Sequence, residues 1–399
     1  MISFKGLRII ENLMSKIQKA KITPKVLKWA RDVCNLSLEV AAKKVSVAED
    51  TLICWENGQD LPTVNQARNL AKVYKVPLIS LWLNEPPPDY KPPKFRDFRR
   101  LPGSLTGHFS YNLAISIRES SIKRDLAIEL ARNLNRTIET FSSHFPTNTT
   151  TKKLASEIRN LLNLSWGEQS EWKDPRIAFN SIKEKIESLD ILVFQFPRIE
   201  VEEFRGFSIY NKVMPVIGLN RKDSYAARSF SLLHEFTHLI FGETSVSNVS
   251  ETDSGFSQDE RIEKICNEVA GATLVPQEEL QRIIRSLGSL TFENIAGVAK
   301  SFGVSREVVA MRSFQIGILN QDGLGSLLNK IGSAYKPPPK PGFVPPHMDF
   351  VSKAGKPLAR SLLENLSRGH ITENDFSDYA GLKLKHITKV KEAILFSSE

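Results

Sequence analysis

At residues 231–242 the chain reads Ser-Leu-Leu-His-Glu-Phe-Thr-His-Leu-Ile-Phe-Gly. Positions 232, 233, 236, 239, 240 and 241 are apolar, so a helix here is buried on most sides. Two histidines and a glutamate in such a helix need a reason, because uncompensated polar burial is costly. Residues four apart share a helix face, so His234 and His238 can grip one Zn2+. Glu235, one position on, points beside the metal, where it can take a proton from water. The competing expectation is a core helix with two hydrogen-bonded histidines.

A catalytic zinc takes three protein ligands and keeps one position open. The third ligand is expected downstream on another helix, and 260–272 is the best source. Glu263 and Asn267 share a face there, four residues apart. Asp259, Glu260 and Glu268 compete, each also readable as a solvated surface charge, and Cys266 reads as core. Ala270, Gly271 and Ala272 are small enough for two helices to approach closely.

A chain of 399 residues suits two or three domains. Hydrophobic residues at 41% and charged residues at 25% fit a soluble globular protein. No stretch approaches the ~20 apolar residues that span a bilayer, and 1–21 lacks the apolar core of a signal peptide. A cytoplasmic location is therefore expected. Cys34, Cys54 and Cys266 are odd in number and far apart, which argues against a disulfide framework and for reduced thiols.

Residues 22–84 read as short helices with tight turns, and 85–102 as a basic, Pro-containing linker. From 103 to 320 the pattern is mixed. Helical periodicity covers 123–145, 151–162 and 174–188, followed by β-like runs at 191–196, 204–210 and 216–219. The last run is expected at a sheet edge, where an extended substrate can add as a strand. Strong helices follow at 226–241 and 258–274, Pro276 ends the second, and 277–318 is helical again. Residues 336–399 open with a Pro-rich connector and continue as helices at 350–366 and 374–395, where Thr372 and Asp375 suit a capping box. The expected fold class is α+β: an all-α N-terminal module, a core with a small β-sheet, and a helical C-terminal region.

Around the histidine motif the chain resembles the ImmA/IrrE family of metallopeptidases. In that family a second helix carries E-x-x-[AC]-N before small residues and a proline. Here the match is Glu263-Lys264-Ile265-Cys266-Asn267, then 270–272, then Pro276. The stretches 189–193, 204–207 and 215–217, with Asn220, resemble the family too, and the likeness spans roughly 170–320. Asp97-Phe98-Arg99-Arg100 resembles a junction seen in fused members. The resemblance implies a zincin-like fold and a regulatory zinc metallo-endopeptidase over 103–320. One Zn2+ per chain would be held by His234, His238 and Glu263, with Asn267 behind them and Glu235 as the acid–base group. The implied substrate is a protein, such as a transcriptional repressor.

Residues 37–59 resemble a Xre/Cro-type helix-turn-helix. Ala41, Ala42, Val45, Val47, Leu52 and Trp55 occupy core positions, and Gly58 suits the helix stop. The surface positions disagree with a DNA reader. Leu38 stands where Gln is usual, the recognition helix opens with Glu49 and Asp50, and Ile53 and Cys54 follow. Thr51 alone is an ordinary base-contacting type. Residues 1–100 hold 18 Lys/Arg against 10 Asp/Glu, yet 22–84 hold only 8 against 6. DNA contact is therefore expected from flanking Lys16, Lys19, Lys21, Lys94, Arg96, Arg99 and Arg100, weak and salt-dependent. Two alternatives stay open. One is a Xre-type DNA-binding transcriptional regulator whose zincin core is a sensor or docking domain. The other is an antitoxin-like protein with a toxin-like partner.

Overall fold

The computed structural model describes residues 18–87, 96–97, 110–142, 145–146, 149–172, 174–242, 244–247, 258–334 and 343–395. The chain is α+β and divides into two compact units. One comprises Met1–Pro92 and Thr106–Arg118, the other Pro93–Leu105 and Glu119–Glu399.

The first unit contains helices α1 (Pro24–Asp32), α2 (Leu38–Val45), α3 (Glu49–Glu56) and α4 (Val64–Tyr74), then a 3-10 turn at Leu78–Trp82. Short polar side chains set the starts. Ser37 accepts the Val40 N–H at α2, and Thr63 with Gln66 forms a capping box on α4. Leu27, Ala30, Ala41, Leu52, Trp55 and Leu70 bury one another in a single cluster. Charge supplements this packing. Arg31 donates to both Glu56 oxygens at 2.8 and 3.0 Å and to the Leu36 carbonyl at 2.7 Å. The pair pins α1 to the end of α3, so Glu56 is committed to the fold. Gly58, at φ +72, turns the chain away after α3.

The long helix α5 (Tyr111–Asn133) contributes residues to both units. Its Arg118 donates to the Tyr74 carbonyl at 2.9 Å and lies 3.7 Å from Cys34 Sγ. Burial pushes the Cys34 thiol up to about 11, against the opposing Arg118 charge. None of the three cysteines is in a disulfide; Cys34 and Cys266 are buried and Cys54 is half-buried. The periodicity read at 123–145 belongs to α5, which starts earlier and stops where Asn135 turns left-handed at φ 52.

The second unit holds α6 (Thr151–Leu161), α7 (Trp166–Ser170), α8 (Pro175–Glu187), α9 (Tyr225–Ile240) and α10 (Gln258–Leu274). Beyond them come α11 (Gln277–Leu287), α12 (Ile295–Phe302), α13 (Arg306–Gln315) and α14 (Gln321–Ser333). The C-terminal helices are α15 (Pro346–Ala354), α16 (Lys356–Ser367), α17 (Glu373–Ala380) and α18 (Ile387–Leu395). The single stretches read at 350–366 and 374–395 each divide in two at a glycine of positive φ, Gly355 and Gly381.

Strands β1 (Arg96–Asp97), β2 (Leu192–Phe196), β3 (Gly206–Ile209), β4 (Val216–Asn220) and β5 (Ser245–Ser247) form one sheet in the order β1-β5-β3-β4-β2. β4 pairs in parallel with β2 and antiparallel with β3. The run at 216–219 is thus interior, which corrects the edge expected there. Its backbone groups are paired on both sides and offer nothing to an added peptide. Its residues are buried throughout, as a strand covered on both faces requires. Leu232, Leu233, Phe236, Leu239 and Ile240 of α9 join Ile217 and Leu219 of β4 in the main core. The C-terminal helices dock beside β2, where Gln195 donates to the Ser352 carbonyl at 2.8 Å. No helix among the described residues is long and apolar enough to cross a membrane.

Candidate metal centre

Ser224 caps α9 by accepting the Ala227 N–H, and the helix then runs unbroken through the motif. His234, Glu235, Thr237 and His238 are all 0% exposed. Thr237 satisfies its hydroxyl locally by donating to the Leu233 carbonyl at 2.7 Å. The histidines are handled differently. Their Nε2 atoms face each other at 3.1 Å, and His234 Nδ1 has no hydrogen-bond partner.

Helix α10 packs along α9 and brings Glu263 to this point. Its Oε1 lies 2.9 Å from His238 Nε2, and its Oε2 lies 3.3 Å from His234 Nε2. The three ligand atoms lie within 4.8 Å of one another, the one such group found among the described residues. Burial disfavours the charged His234 ring, but the Glu263 charge and hydrogen bond outweigh it and raise its pKa. Burial likewise pushes Glu263 up, while the two imidazoles hold it well below the usual carboxylate range. Two imidazole nitrogens and a carboxylate sharing one buried point form a set that a cation completes. Nitrogen and oxygen donors without thiolate suit Zn2+.

The competing candidates on α10 lie elsewhere in this arrangement. Glu268 accepts from Thr151 Oγ1 at 3.0 Å, and Cys266 is buried in the interior. Asn267 stands behind the ligands: its side chain hydrogen-bonds His234 and adds to the upward shift of that ring. The side chains of Asp259 and Glu260 lie outside the described residues. Ala270 is fully buried, but a Cβ on Gly271 would meet nothing within 4 Å. Close helix approach therefore does not account for that glycine.

Glu235 is held from the sheet. Ser245 of β5 donates to its Oε2 at 3.0 Å, and Ser245 Oγ is 2.8 Å from Ser208 Oγ of β3. Gly206, at the start of β3, leaves room for the same carboxylate. A Cβ there would sit 2.7 Å from Glu235 Oε1 and 2.8 Å from its Cγ. Sequence reading missed these three residues. Ser208 and Ser245 gave no motif, and Gly206 registered only within the family-like stretch 204–207, with no role assigned to it.

Residues 186–314 match the model of the IrrE N-terminal-like domain, a peptidase M78 family. Residues 27–81 match a helix-turn-helix model. The two matches fall on separate stretches of the chain. A search of curated proteins finds no match to it. The stretch matched by the IrrE N-terminal-like model begins near the end of α8 and includes all of the sheet except β1, together with both helices of the candidate metal centre.

In the helix-turn-helix module, Thr51 is half-buried on α3. Lys19 is engaged within the fold, bonding Asp60 at 3.0 Å and the Leu61 carbonyl at 2.7 Å. Lys21 is exposed. Lys16, Lys94, Arg99 and Arg100 lie outside the described residues, as does the side chain of Arg96.

Proposed function

We propose that the chain is a zinc-dependent metallo-endopeptidase with a regulatory role, cutting a transcriptional repressor or another regulatory protein. The observation that carries this reading is the convergence of His234, His238 and Glu263 beside a buried carboxylate, Glu235. Zinc held by the three ligands supplies Lewis-acid polarisation of a carbonyl and activation of water. Glu235 accepts the water proton and returns it to the departing amine. Ser245 fixes one oxygen of that carboxylate and Gly206 leaves space at the other, so Glu235 works from a set position. The helix-turn-helix match supports a second role in binding DNA, with the peptidase acting on proteins of the same regulatory system.

The test has two parts. Elemental analysis of the purified chain is expected to find about one zinc, absent from His234→Ala and His238→Ala. Glu235→Gln should keep its zinc but lose cleavage, because an amide cannot accept the proton. New protein N-termini, mapped in the native host, should appear with the wild type and be missing with Glu235→Gln. Identical termini in both would remove the peptidase reading, and a chain carrying no zinc would remove the metal assignment.

A further inference from the structure

The matched helix-turn-helix ends at residue 81, yet its backbone recurs at the other end of the chain. In the first unit α1 ends at Asp32, Ser37 caps α2, and α2 is eight residues long. Ser46 is left-handed at φ 62, and Ala48 is extended before α3 begins at Glu49. In the second unit α16 ends at Ser367, Thr372 caps α17, and α17 is eight residues long. Gly381 is left-handed at φ 62, and Lys383 is extended before a 3-10 turn starts at Leu384 and leads into α18. Every one of these pairs is separated by the same number of residues.

The turn hydrogen bonds follow the same spacing. Ser46 N–H donates to the Lys43 carbonyl at 3.3 Å and Val47 N–H to the Ala42 carbonyl at 3.0 Å. Gly381 N–H donates to the Asp378 carbonyl at 3.3 Å and Leu382 N–H to the Ser377 carbonyl at 3.0 Å. Buried positions coincide as well: Leu27 with Leu362, Ala41 with Phe376, and Trp55 with Val390. The side chains of the two cores share little, and that is why the recurrence escapes sequence reading.

The outward faces differ in sign. Glu49, Asp50, Thr51, Ile53 and Cys54 of the first copy correspond to Leu384, Lys385, His386, Thr388 and Lys389 of the second. Lys383, Lys385, Lys389 and Lys391 are all exposed. The His386 imidazole is held below its ordinary pKa by partial desolvation and then by Lys385, Lys389, His347 and Lys383, so three lysines crowd this place. The acids on these two helices are Glu392 on α18 and Glu373, Asp375 and Asp378 on α17. Asp375 is occupied in the capping box with Thr372.

We infer that α16, α17 and α18 form a further helix-turn-helix, and that α18 with the 3-10 turn leading into it, presenting Lys385, His386, Thr388 and Lys389, docks on duplex DNA. A recognition helix in this geometry lies in the major groove with its N-terminal residues at the base edges, and flanking lysines meet phosphates. The first copy presents carboxylates at those positions, which phosphates repel.

The experiment measures binding of the full-length chain to a fluorescent random duplex of about 30 base pairs, at about 50 and 200 mM salt. Wild type should bind at the lower salt and weaken steeply at the higher. Lys385→Glu with Lys389→Glu should weaken binding by at least ~10-fold, since it replaces two phosphate-attracting charges with repelling ones. Lys153→Glu with Lys330→Glu makes the same change in net charge at exposed sites elsewhere on the second unit and should change binding less than ~2-fold. Circular dichroism melts check that both pairs fold, and Lys385→Gln with Lys389→Gln serves if the Glu pair does not. The inference is overturned if wild type fails to bind at the lower salt, if the 385/389 variants bind like wild type, or if the control pair loses as much. The Lys385→Glu/Lys389→Glu pair should carry as much zinc as wild type by elemental analysis, so failure here is separate from failure of the zinc reading.

Discussion

Helices α9 and α3 both present polar residues at positions that suggest chemistry, but under opposite conditions. On α9 the polar side chains are sealed in the core, where each must find a partner or cost stability. His234 and His238 find one another and Glu263, and Glu235 finds Ser245. On α3, Glu49 and Asp50 are exposed and lie in the first turn, where they need no partner and favour the helix dipole. Burial makes a polar residue informative, while exposure leaves it ambiguous between function and ordinary solvation.

Three measurements break or sharpen this contrast. The largest effect is expected at the metal. Adding zinc to chelator-stripped wild type should raise its melting midpoint, with about 4 kcal/mol of linked stabilisation at a thousandfold excess over Kd. His234→Ala should show no such rise in calorimetry, and an equal rise would place the zinc elsewhere. Next comes Gly206→Ala, which forces a methyl against the Glu235 carboxylate. A cost of about 1–3 kcal/mol in denaturant unfolding is expected, and a neutral result would mean that the carboxylate moves freely. The smallest effect belongs to α3, where Glu49→Gln and Asp50→Asn should each cost about 0.3–1 kcal/mol through the lost dipole interaction. A larger loss would show that these acids hold the fold together.

The α+β fold and the His234–His238 pair were legible because helical spacing and burial constrain each other. His234 and His238 declare themselves four residues apart in an apolar run. Glu263 was one of several candidates on α10 from spacing alone, and only the family resemblance singled it out. Ser245 and Ser208 were illegible, because β5 is three residues long and too short for an alternating pattern. Position in the sheet was misread at β4, since an all-apolar run does not say how many neighbours it has. The Arg31–Glu56 pair escaped for another reason: its partners lie on different helices, and no periodicity links them.

Asn365 of α16 donates to the Leu130 carbonyl at 3.1 Å, joining residues 235 positions apart. The candidate metal donors, by contrast, run only from His234 to Glu263. During synthesis the second unit therefore holds its complete donor set well before the helix that ties it back to α5 has left the ribosome. Long-range closure is the slow part of folding such a chain. A cation captured by the nascent α9 and α10 would bring those helices together while the C-terminal third of the protein is still being made.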